Sequence, residues 1–187
     1  MKCSLPCFAA ALIAASFNLY AEDLPPGHVD FGAFSPPGSG GQFVEVNLTS
    51  NLISLAARFV ENEDADIAKL IKGLHSIRVN VVGLNDQNRG ELEERIQSVR
   101  QKLSGNGWER IVTAQQEGQD VGVYLKTKNS DTVQGLVVTV IEGKKQAVFV
   151  NVVGNIKPEQ LSMLGEKFHI EPLKKLSTPA AEKPVEN

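Results

Sequence analysis

The three histidines, His28, His75 and His169, are the first residues to test for chemistry, and no two of them share a metal-ligand spacing. They read as isolated surface or capping side chains. The densest acidic run is Glu61-Asn62-Glu63-Asp64-Ala65-Asp66. A calcium loop needs Gly at its sixth position and Glu at its twelfth. Counted from Glu61, those positions hold Asp66 and Lys72, so the run reads as capping carboxylates between two helices. Gly143-Lys144-Lys145 lacks the upstream Gly of a phosphate loop, since Val138 stands there, and a strand follows the lysines. It reads as a hairpin tip. Ser76, Ser130 and Ser162 have no nucleophile-elbow motif around them. Trp108, the single tryptophan, fits either the rim of a ligand groove or the edge of a core, with its N–H on a carbonyl. The motifs thus assign no catalytic, metal or cofactor-binding residue, and no cofactor. An enzyme would have to assemble carboxylates scattered along the chain.

The elements that could position any site begin after a leader. Lys2 precedes the uncharged, mostly apolar run Cys7 to Phe17, and Leu19-Tyr20-Ala21 offers a small residue for cleavage. That is the pattern of a signal peptide over 1–21, too short to span a bilayer comfortably. Export to a periplasm or medium is therefore expected, without stable membrane insertion after cleavage. Both cysteines, Cys3 and Cys7, lie in the leader, so the mature chain would carry no disulfide and no thiol nucleophile. The 187 residues are 42% hydrophobic and 22% charged, with a net charge of −3. These are the values of a soluble globular protein, and nothing in them favours nucleic acid.

Residues 22–42 form an arm rich in Pro and Gly, with Pro25-Pro26-Gly27, Pro36-Pro37-Gly38 and Gly40-Gly41. Phe31 and Phe34 within it could dock on the domain. Phe43 to Leu48 alternates as a strand. Leu52, Leu55, Ala56, Phe59 and Val60 make one helical stripe, and Ile67, Leu70, Ile71 and Leu74 a second. Ser76 to Leu84 alternates again, with Arg78 and Asn80 expected outward. The clearest helix has the seam Leu92, Ile96, Val99 and Leu103, with glutamates first and Arg100 and Lys102 last, as its dipole favours. Four strands with short links follow: 108–114, 121–127, 133–141 and 146–153. They read as an antiparallel meander. Pro158 opens a last helix with Leu161, Leu164, Gly165 and Phe168, and 174–187 reads as a disordered tail. The fold class is α+β, a mainly antiparallel sheet with helices packed on one face, in the order β-α-α-β-α-β-β-β-β-α over a single domain at 43–173.

The last hairpin is apolar on both faces. Val137, Thr139 and Ile141 alternate with Leu136, Val138 and Val140; Phe149 alternates with Val148 and Val150. Only one set per strand can face helices on one side of the sheet. The other set needs cover from the arm, from another copy of the protein or from a different partner. Val137, Thr139, Ile141 and Phe149, with Trp108 and Tyr124 nearby, form the candidate interaction surface.

Several segments together resemble a known family. They are Leu24 to Phe31, Val44 to Leu48, Leu52 to Phe59, Leu70 to Leu74, Ile77-Arg78-Val79, Gly107-Trp108, Val121 to Lys126, Gly135 to Val138 and Val150 to Ile156. This order and spacing is similar to an exported bacterial family catalogued as a domain of unknown function, the four-two-five-two family. The doubled Pro25-Pro26 departs from the single Pro-Gly of that pattern. The resemblance implies an exported α+β domain without an assigned reaction, and supplies no catalytic residues. It also implies a setting near extracytoplasmic sigma factors and their membrane-bound partners. The functional expectation is an exported, non-enzymatic module of unknown molecular role. It would bind a protein or itself through the sheet, with envelope signalling as the expected process. The alternative is a periplasmic domain for a small ligand or lipid.

Overall fold

The computed structural model describes residues 24–116, 118–129, 132–157 and 160. The leader, the helix expected from Pro158, His169 and the C-terminal tail lie outside the described residues. Six strands form one sheet: β1 (Phe43–Thr49), β2 (Leu74–Gly83), β3 (Glu109–Gln116), β4 (Gln119–Asn129), β5 (Thr132–Glu142) and β6 (Gln146–Ile156). Every neighbouring pair is antiparallel, in the order β1-β2-β6-β5-β4-β3. The expected meander is therefore four of the six strands, β3 to β6, and the α+β class holds. β2 joins the outer side of β6, and β1 lies at the edge.

Three α-helices are described, α1 (Ser50–Val60), α2 (Ala65–Lys72) and α3 (Arg89–Ser104), besides a short 3-10 turn at Gly38–Gly40. Asp64 caps α2, its Oδ1 accepting the N–H of Ile67 at 3.0 Å, and Glu61 pairs with Lys72 at 2.7 Å. The acidic run is thus helix-terminal chemistry. The Gly-Lys-Lys stretch is the β5–β6 turn, with Gly143 at φ +52°.

The helices occupy both faces of the sheet, not one. Ile53 of α1 and Leu70 of α2 join Ile77, Val123, Leu136, Val138, Val150 and Val152 in one core. Leu92, Ile96, Val99 and Leu103 of α3 join Val82, Tyr124, Val137, Ile141 and Phe149 in the other. The reason lies in the hairpin itself. Strands apolar on alternate and intervening positions alike expose a dry surface on each side, and each side gains by burial.

Candidate functional site

The N-terminal arm lies across the α3 face and is fastened to it residue by residue. The Asn151 side chain, buried on β6, treats the arm as an added strand. Its Oδ1 accepts the N–H of Val29 at 2.9 Å, and its Nδ2 donates to the carbonyls of Gly27 at 2.9 Å and Leu136 at 3.2 Å. Arg78 donates from Nη2 to Gly32 O at 2.7 Å, and Arg95 from Nη1 to Ala33 O at 2.6 Å. Phe31 and Phe34 close over Phe149 with ring centroids 5.6 and 4.8 Å away. Arg95 also stacks on Phe34 at 4.7 Å. The approach needs glycine on both sides. A Cβ on Gly135 would lie 2.6 Å from both Gly27 Cα and Trp108 Cη2. Gly27 itself sits at φ +94°, a conformation open to glycine.

This arrangement corrects the candidate surface. Val137, Thr139, Ile141, Phe149, Trp108 and Tyr124 are all buried. Their cover is the chain's own arm and α3, so they are not an exposed surface. Asn80 and Tyr124, expected outward, are buried on the same face. Trp108 packs over Gly135 at the edge of that core.

A buried ion pair sits at one end of the α3 face. Arg100 donates to Asp120 Oδ2 at 2.7 Å and to Thr139 Oγ1 at 3.1 Å. Gly122 makes room for it, since a Cβ there would lie 3.1 Å from Arg100 Nε. The pair ties α3 to β4 and β5. The groove beside it, lined by Gln97, Gln101, Gln115 and Gln119 among others, is open.

The opposite face carries the feature that the sequence alone did not locate. Cross-strand pairing sets Val44, Val81, Val148, Val140, Val121 and Ala114 in one row across all six strands. Val44 and Ala114 are exposed and the four valines between them half-buried. The next row, Val46, Val79, Val150, Val138, Val123 and Val112, is as apolar, and its central members are buried. A polar row, Gln146, Glu142, Gln119 and Gln116, bounds the surface on the other side. The result is a strip of β-branched side chains, apolar along its whole width, that the described helices leave partly open. The alternation of each strand marked these valines as one face. Their meeting in a single row depends on β2 pairing with β6, which no local pattern encodes.

A single antiparallel sheet with an arm and helix on one side and a partly open valine strip on the other defines an α+β module. Comparison with known families places it further. Residues 40–164 match the family model described as a domain of unknown function (DUF4252), and the chain belongs to that family. No curated protein and no solved structure matches the chain.

Proposed function

We propose that this is an exported bacterial module without a reaction of its own, which works by holding a protein against the open face of its sheet. One observation carries the reading: the row Val44, Val81, Val148, Val140, Val121 and Ala114, half-exposed and unbroken across six strands. Contiguous exposed apolar area on a soluble domain marks an interaction site. A flat, β-branched strip suits the apolar face of a partner helix or strand. The leader-like N-terminus supports the periplasm or medium as the proposed setting, and envelope signalling is the process it would serve.

The test is a photo-crosslinking amino acid placed at Val140 in the producing cell, with Ser98 on the exposed side of α3 as control. The expected outcome is a protein adduct at 140 and none at 98. Lipid adducts alone at 140 would transfer the reading to a lipid-binding domain, and no adduct at 140 would overturn it.

A further inference from the structure

We propose that the free edge of β1 and the outer flank of α1 form a two-fold interface with a second copy of this chain. The proposal rests on the reading that the module works by association, and it adds the partner and the geometry.

β1 pairs with β2 over seven residues in unbroken register, and among the described residues no strand lies on its other side. Edge strands are commonly protected by bulges, prolines or lysines, because an open edge recruits another strand. β1, FVEVNLT, has none of these devices, and Glu45 is its only charge. The other edge, β3, differs. It carries a register shift between Arg110 and Val112, and Arg110 is drawn over the Tyr124 ring at 5.3 Å. Among the described residues, only β1 is left regular and unguarded.

The pattern of β1 is symmetric about Val46. Val44, Val46 and Leu48 face one way, Glu45 and Asn47 the other. Antiparallel pairing with a copy, centred on Val46, sets Val44 against the partner's Leu48 and Glu45 against the partner's Asn47. Like charges never meet, Val44 meets Leu48 and Val46 meets its own copy; at the strand ends Phe43 lies against Thr49. A second copy of this chain is therefore a partner that fits without further specification.

The adjoining helix has the same property. α1 turns inward on Ile53 and Ala57. At about 100° per residue, Leu52, Leu55, Ala56 and Phe59 fall in a separate sector. Phe59 is 72%, Leu55 51% and Leu52 50% exposed, beside Val44 at 41%. An antiparallel copy of α1 would set Phe59 on the partner's Leu52 with Leu55 and the small Ala56 at the centre. The helix begins directly on the edge strand, so the apolar flank continues the edge.

Light scattering on the chain purified from the cells that make it tests the proposal. The expected mass is that of a dimer, falling by half in Phe59→Lys and in Leu55→Glu. Both positions are exposed, so the melting temperature of the separated chains should hold. Val46→Cys, with Cys3 and Cys7 changed to Ser, should form a disulfide-linked dimer under mild oxidation, and Thr113→Cys on β3 should not. A monomeric wild-type protein overturns the proposal, as does crosslinking through Thr113→Cys in place of Val46→Cys. A dimer that survives both α1 substitutions but dissociates in Val140→Lys also overturns it, while leaving association through the valine strip intact. A protein adduct at 140 in a chain that stays monomeric separates the two readings in the same way.

Discussion

Two asparagines on the α3 face show how position decides what a buried amide is worth. Asn151 makes three hydrogen bonds, two of them to backbone of the arm. Asn80, one strand away and opposite Phe149, is fully buried with neither Oδ1 nor Nδ2 bonded. A buried polar atom without a partner carries its desolvation cost uncompensated. Asn151→Leu should therefore destabilise the fold by about 2–4 kcal/mol, because it strands the Val29 N–H and the Gly27 carbonyl. Asn80→Leu, close in volume, should be neutral or stabilising by about 1 kcal/mol. Urea unfolding of both variants checks the pair, and a loss of stability in Asn80→Leu comparable to that of Asn151→Leu would refute the argument. The Arg100–Asp120 pair follows similar logic. Asp120→Ala leaves the guanidinium short of its anion in a site where the Arg100 side chain is only 10% exposed. It should cost about 2–3 kcal/mol, toward the lower end for a broken buried pair because Asp120 keeps some solvent. Arg100→Met, which removes the buried charge and keeps the packing, should cost less in the same urea titration.

At the scale of elements, the arm is a structural layer rather than a leader to the domain. Its attachment has a pH signature. The carboxyl of Asp30 is held below its ordinary 3.8, chiefly by the N–H of Gly32 at 2.8 Å, with the Arg78 guanidinium adding to the effect and slight burial opposing it. A carboxylate depressed in the folded state contributes its full stability above its unfolded value, and that contribution is lost as pH falls through the folded value. The melting temperature of the wild-type chain should exceed that of Asp30→Asn at neutral pH, and the gap should close as pH drops below 3.8. A gap that widens in acid would show that the carboxylate does not hold the arm. Legibility differed among the elements for physical reasons. The α3 seam stood out because its four apolar residues sit among charges, leaving one face to bury. α1 did not, because Leu52, Leu55 and Phe59 make an apolar stripe about 100° or more round the helix from Ile53, and the stripe that looked inward is the exposed one. The arm's docking depends on Asn151 meeting Gly27 across 124 positions of chain. No window of sequence holds both ends of that bond. The hairpin's doubled apolarity was visible, and with it the need for cover on each face. The covering elements became visible only with the strand order, which set the valines of six strands in one row.

The whole molecule has two cores on one sheet, and the strands at its centre serve both. β6 sends Phe149 to the α3 core and Val150 and Val152 to the α1–α2 core; β5 divides Val137 and Ile141 from Leu136 and Val138 in the same way. A side chain lost on one face loosens a backbone that the other face also needs, so the two cores should unfold as one unit. Phe149→Ala should cost about 3–5 kcal/mol through the cavity left beneath Phe31 and Phe34. Val152→Ala, on the opposite face of the same strand, should cost less because fewer buried methyl groups are removed. The sole tryptophan makes the coupling measurable. Trp108 belongs to the α3 core, so its fluorescence reports that side, while far-ultraviolet circular dichroism reports the sheet as a whole. In the wild-type chain and both variants, the two signals should share one urea midpoint, and Val152→Ala should move the Trp108 midpoint although it touches the other core. If Trp108 kept its wild-type midpoint in Val152→Ala while the dichroism shifted, the faces would be separate folding units. The arm and α3 could then detach without the sheet, and the buried face of Val137, Ile141 and Phe149 would become accessible after all.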